Sequence, residues 1–192
     1  MSSNIPWDSI PEASEDNKRA ADLLIRMDNG QERRTGYDGG WIFYQDATHT
    51  ILNKQSISAG TPTILTIDGA GSESNDTFRR GMNTDVWSLN TIRPAALGEV
   101  YVVSIAFDVT KSSSNQIFLD IPGKIGPGYT EVVSLERKPL TKGSGITDYI
   151  IFNKVIFIRD AYTTDGLQFF LTFDESVEVW DKTISIQRTH SP

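Results

Sequence analysis

The sequence contains no cysteine. Disulfide staples, thiolate metal sites and thiol nucleophiles are therefore excluded, and the absence fits assembly in a reducing compartment. Histidine is almost as scarce: His49 and His190 are the only two. A Ser-His-Asp triad needs a held histidine beside an activated serine, and no Gly-x-Ser-x-Gly elbow presents one. Apolar runs are short. No run exceeds four residues, and one of these, Tyr149-Ile-Ile-Phe152, is soon broken by Asn153 and Lys154, far below the ~18 residues of a membrane span. The N-terminal Met1-Ser-Ser-Asn-Ile-Pro6 lacks a basic region followed by an apolar stretch, so no signal peptide is expected. Phosphate-cradling loops are missing too: Lys142-Gly-Ser-Gly145 reads as a flexible turn. Positive charge is in the minority, with 18 Lys and Arg against 25 Asp and Glu and a net charge of -7. Such a surface repels phosphate backbones, and the pairs Lys18-Arg19, Arg33-Arg34 and Arg79-Arg80 read as solvated surface. The expectation is a soluble chain made in the cytoplasm, with no enzyme activity, no cofactor, no metal, and neither nucleic acid nor membrane as a partner.

What is present divides near residue 40. Residues 1–40 read as an N-terminal arm with one short helix. Ala20, Leu23, Leu24 and Met27 form an apolar stripe at helical spacing. Ser14 is placed to cap a helix over 14–28, with Glu15 and Asp16 in its first turn and Asn29-Gly30 as a left-handed stop. A helix this short needs a surface on which to bury its stripe, either its own domain or a neighbouring subunit. Trp7 precedes it in an extended stretch, and Gly36-Tyr-Asp-Gly-Gly40 follows as a hinge.

From residue 41 to 192 the period becomes two, and no helical period, internal repeat or heptad run appears. Tyr101, Val103, Ile105, Phe107 and Val109 alternate with polar residues, as do Leu167, Phe169, Leu171 and Phe173, and Trp180, Ile184 and Ile186. These predict half-buried strands. Further strands are expected at 41–44, 48–58, 62–68, 85–92, 116–121, 130–136 and 149–159, with Asp165-Gly166 as a hairpin signal. Trp87 and Trp180 are expected in the core. Some ten short strands predict an antiparallel sandwich or barrel, and the long connections 69–84 and 93–99 suit jelly-roll crossovers. One strand is apolar on both faces: Ile150, Phe152, Ile156 and Ile158 on one, Tyr149, Ile151, Val155 and Phe157 on the other. A sandwich strand needs one apolar face; the second is covered either by another chain or by the arm or a loop of this one.

Candidate chemistry is thin. Asp160, Asp165, Asp174 and Glu175 fall at strand ends, where surface acids sit, and do not by themselves make the facing pair that a glycosidase needs. The loop from Asp68 to Asp76, with Glu73, offers carboxylates on a bent backbone but not the alternating calcium pattern, and reads as an acidic surface loop. Trp7, Tyr37, Trp41, Tyr129 and Tyr162 are aromatics that could stack on sugars, though such residues are more commonly core or subunit contacts.

The run Trp41-Ile-Phe-Tyr44, Gln55-Ser-Ile-Ser-Ala59, Pro62-Thr-Ile-Leu-Thr-Ile-Asp-Gly69, Asp85-Val-Trp-Ser-Leu-Asn90, Ile92-Arg-Pro-Ala-Ala-Leu-Gly98, Val100-Tyr-Val-Val-Ser-Ile-Ala-Phe107, Gly166-Leu-Gln-Phe-Phe-Leu171 and Val177 to Arg188 resembles the tumour-necrosis-factor-like or C1q-like jelly-roll modules of phage head fibres, capsid decoration proteins and tail-fibre tips. The resemblance covers about four-fifths of the chain and is one of pattern. It implies an all-β antiparallel jelly-roll sandwich forming a homotrimer, with no catalytic residues. A short helical arm departs from fibre tips, which usually follow a long trimeric stalk. The expected function is a capsid decoration (cement) or head-fibre protein on the virion surface. Its partners are itself and the major capsid protein, with Trp7, Leu23, Leu24 and Met27 as capsid anchors and Tyr149, Ile151, Val155 and Phe157 as the trimer interface. The rival reading is a receptor-binding fibre tip that recognises a host glycan or protein.

Overall fold

The computed structural model describes residues 40–67, 86–159 and 165–190. The expected helical arm and its anchors Trp7, Leu23, Leu24 and Met27 lie outside the described residues, as do most of the 68–76 loop, Tyr37, Asp160 and Tyr162. The described strands are β1 (Trp41–Gln45), β2 (Gln55–Ile57), β3 (Thr63–Ile64), β4 (Trp87–Ser88), β5 (Thr91–Ile92), β6 (Val100–Lys111), β7 (Phe118–Ile125), β8 (Glu131–Pro139), β9 (Thr147–Phe157), β10 (Gln168–Phe173) and β11 (Val177–His190).

Alternation dictates the layering. Successive side chains of a strand point to opposite faces, and β6 buries Tyr101, Val103, Ile105, Phe107 and Val109 completely while the residues between them stay half-exposed. Two sheets result: β1-β11-β6-β9, with β2 also against β11, and β3-β10-β7-β8; β4 and β5 form a small ribbon. All pairings are antiparallel. If the eight strands of the two four-strand paths are counted along the chain, the sheets read 1-8-3-6 and 2-7-4-5. That is the strand order of a jelly roll, two interleaved Greek keys. The core sits between the sheets, where Phe152 of β9 meets Phe169 of β10 edge-on with ring centres 5.5 Å apart.

Several local expectations are corrected. The 48–58 stretch is a strand only over Gln55–Ile57, because Asp46 draws the amides of Thr48 and His49 onto its Oδ1 and bends the backbone away from a ladder. His49 therefore sits in a loop. Asp165-Gly166 joins no hairpin: β9 pairs with β6 in one sheet, and β10 with β7 and β3 in the other. Gly166 has a different task. At φ 77° it passes so close to the Thr91–Ile92 backbone that a Cβ would lie 2.6 Å from the Ile92 carbonyl oxygen. Trp87 is core as expected. Trp180 is 4% exposed but lies outside the main cluster. Between Trp180↔Asp108 and Thr183↔Ala106, β11 spends one residue more than β6. This bulge, with Asp181 at φ 49°, flips the inward positions from Val177 and Val179 to Lys182, Ile184, Ile186 and Arg188.

Candidate functional site

β9 lies at the edge of its sheet, bonded to β6 on one side. Its inward row, Ile150, Phe152 and Ile156, is buried, and Ile158 just beyond it likewise. The outward row is not: Tyr149, Ile151, Val155 and Phe157 are 63%, 47%, 52% and 65% exposed. The structure thus brings together the four residues expected at a subunit interface. It extends them, because register places Val100, Val102 and Ala106 of β6 opposite Phe157, Val155 and Ile151 on the same face. Asn153, the polar residue in the row, faces Ser104 and is bonded to it. Exposed Trp41 belongs to this outer face on β1, through its register with Gln187, which pairs with Val102.

The face wraps onto a groove of about 350 Å³ where β9 meets the edge strand of the other sheet, lined among others by Val132, Val133, Val155 and Phe157. Sequence reasoning missed the β8 share; the consecutive valines were its signal. The Ser134 hydroxyl is buried beside the groove without a hydrogen-bond partner. The two edges are guarded. Lys154 of β9 and Glu136 and Lys138 of β8 share faces with buried Val103, Ile121 and Leu119, and Lys138 reaches across to the Ile151 carbonyl. Inward-pointing charges of this kind discourage strand addition at an edge. What β9 offers a partner is its face rather than its backbone.

Two buried ionic clusters were invisible in the sequence. Near the start of the chain's first sheet, Asp46 takes an ion pair from Lys182 at 2.8 Å and a bond from His49 Nδ1 at 2.9 Å. Lys182 also donates to Gln55 and Thr66. Burial works against the Asp46 carboxylate, but the Lys182 and His49 bonds, the Thr48 amide and the Lys182 charge together hold its pKa below the usual value. Toward the other end of β11, Glu99 accepts from Arg188 at 3.0 Å, Tyr101 at 2.7 Å and the amides of Ala95 and Ala96. Burial opposes the Glu99 charge, and these bonds overcome it and lower its pKa; burial and the Glu99 bond push the Tyr101 hydroxyl far up. Both clusters have the residue types of acid-base chemistry, but Asp46, Lys182 and Glu99 are sealed from solvent. They act as fasteners: Lys182 ties β11 to the 46–49 loop, and Arg188 ties it to the 93–99 connection. Among the described residues no group of three or more His, Asp or Glu is arranged to hold a metal ion.

Of the remaining candidates, Asp174 and Glu175 occupy the β10–β11 turn, where Asp174 accepts the Phe118 amide and Glu175 accepts from Asn115. Tyr129 donates its hydroxyl to the Asp165 carbonyl.

No protein-family model and no curated protein matches the chain. Among solved structures it is similar to the PRD1 vertex protein P5 (17% identity, TM-score 0.43, covering 79% of this chain and 96% of that one). It is also similar to the Eiger TNF from S. frugiperda (7%, 0.47, 80% and 94%). A third similarity is to the infectious bursal disease virus VP2 subviral particle (11%, 0.44, 78% and 32%), of which the match spans about a third.

Proposed function

We propose that this chain is a structural protein of a tailed-phage virion, a homotrimeric capsid decoration or head-fibre subunit that binds the capsid lattice and stabilises it without catalytic turnover. The observation that carries this reading is the bare apolar row Tyr149, Ile151, Val155 and Phe157 on a guarded edge strand. A soluble surface of this kind marks a protein contact, and the sequence pattern resembles modules that assemble in threes. Three copies closing around an axis would bury the row against neighbouring copies. Residues 1–40, with Trp7, Leu23, Leu24 and Met27, then serve as anchors to the major capsid protein at the capsid surface. A partner that binds only the assembled lattice stabilises it by mass action, and three linked arms tighten attachment through avidity.

Sedimentation of the full chain tests the assembly: a mass three times that of the chain is expected, and a stable monomer at micromolar concentration overturns it. Deleting residues 1–35 should leave the assembly intact but abolish binding to capsids; truncated protein that decorates particles as well as the full chain would move the anchor into the jelly roll. Particles lacking the protein should open at lower temperature while still adsorbing to cells. A fibre tip gives the reverse, unchanged melting and lost adsorption. Turnover is tested on host polysaccharide, where no new reducing ends are expected.

A further inference from the structure

At the far end of the same sheet face the chemistry changes. One rung across four strands reads Ser56, Glu178, Thr110 and Thr147, each in register with the next. These short side chains form the floor of a cleft of about 620 Å³. One wall is Lys54, which lies over the Trp180 ring at 4.4 Å and pairs with Glu178 at 3.2 Å. The opposite wall is the 144–145 turn, fastened by the Ser144 hydroxyl to the Ser112 carbonyl and by the Gly145 amide to the Lys111 carbonyl. Ser176 at the rim receives the Ala59 amide. The walls are thus held by the fold before any ligand arrives.

We propose that this cleft binds carbohydrate, a neutral hexose unit presented by a polysaccharide or glycan. The lining decides the class. Apolar ligands select pockets walled by aliphatic and aromatic groups, whereas here six of the eleven lining residues are serine or threonine and none is aromatic. A phosphate or sulfate would need uncommitted cations; the charge of Lys54 is met by Glu178, and Lys111 donates to the Asn115 carbonyl. Hydroxyls both donate and accept, which matches a ligand whose own groups do the same. Among the described residues the hydroxyls of Ser56, Ser112 and Thr147 make no hydrogen bond of their own, so they are available. The Glu178 carboxylate, half-exposed, accepts from two adjacent hydroxyls of one ring. The site belongs to each chain separately and does not depend on the assembly proposed above.

The test is amide-shift mapping on the isotopically labelled full chain, titrated with maltohexaose, with chitohexaose and, as an anion control, with inorganic sulfate. Saturable shifts confined to residues 54–56, 110–112, 144–147 and 176–178 with a sugar are expected, and Glu178→Gln should weaken them about tenfold or more. The double variant Ser56→Ala and Thr147→Val, which removes two uncommitted hydroxyls and leaves the ion pair in place, should weaken them comparably while the rest of the spectrum holds. Shifts with neither sugar, sugar shifts that map elsewhere or survive both variants, or a response to sulfate alone would each overturn the assignment.

Discussion

On the outer face of the β3-β10-β7-β8 sheet, Phe118 lies under Arg137 and Phe170 under Lys124, at 4.6 and 4.5 Å. On the outer face of the β1-β11-β6-β9 sheet, Tyr149 and Phe157 stand more than half exposed. The interiors reverse the contrast. The β3-β10-β7-β8 sheet turns Leu119, Ile121, Phe169, Leu171 and Phe173 inward, whereas the β1-β11-β6-β9 sheet buries Lys182 and Arg188 with their acids Asp46 and Glu99. On the β1-β11-β6-β9 sheet a cation covers Trp180, through Lys54 at 4.4 Å, but Tyr149 and Phe157 stay bare. The proposed assembly would cover that other face.

The largest effect expected on this contrast comes from the inward charges. Asp46→Ala removes the buried Lys182–Asp46 ion pair and should cost about 3–5 kcal/mol in urea unfolding, while Asp46→Leu with Lys182→Met should recover most of it. If Asp46→Ala proved no worse than Arg137→Ala on the other sheet, the interior charges would not be the dry fasteners described above. Acid sharpens the same point. The folded pKa values of Asp46 and Glu99 lie below their ordinary 3.8 and 4.5, so their contribution is fully present above that range and is lost as pH falls through the folded values. Denaturation midpoints measured from neutral pH downward should drop there, and Asp46→Leu with Lys182→Met should flatten the drop.

Next in size is the bare face. Phe157→Ser should weaken association by roughly 1.5–3 kcal/mol for each Phe157 buried in the assembly, seen as dissociation in sedimentation with an unchanged circular-dichroism spectrum. Phe118→Ser on the opposite sheet should leave the mass alone; equal effects would erase the distinction between the faces. Smaller still, Lys124→Ala removes one cation from an aromatic ring and should cost roughly 0.5–1 kcal/mol of stability with no change in mass. The smallest concerns Asp108, whose pKa is raised by burial and by the nearby Asp181 charge. A raised acid disfavours the folded state as pH rises through its folded pKa, so Asp108→Asn should stabilise the chain slightly at neutral pH and not at all below the ordinary carboxylate range.

Much of the fold was legible because period two is written directly into β6, β9 and β10. The apolar second face of β9 was legible for the same reason, since Tyr149, Ile151, Val155 and Phe157 recur at alternate positions, and the structure leaves that row exposed. The pattern failed where one residue was added or withheld. Asp181 shifts the phase of β11, so Trp180 and Ile184, two residues of like parity in the sequence, end on opposite faces. The inward Lys182 and Arg188 looked like ordinary polar positions because their acids come from loops far away in the chain. Gly166 resembled a hairpin residue, and only the close passage of Ile92 shows what its missing side chain permits. The hydroxyl cleft was illegible in principle: its rung gathers Ser56, Thr110, Thr147 and Glu178 from four strands, and no local spacing announces it.

The position of β11 has a consequence for how the chain is made. This strand lies between β1 and β6 and also carries β2, so residues 177–190 complete ladders with segments 41–57 and 100–111. During synthesis β1 and β2 lack their β11 partner, and β6 has β9 on one side only, until these residues clear the ribosome. Loop closure over such separations slows folding, and the unpaired β1 and β6 edges are exposed to other nascent chains in the interval. Copies emerging side by side on one messenger would therefore meet while their apolar rows and the β1 and β6 edges that await β11 are both open.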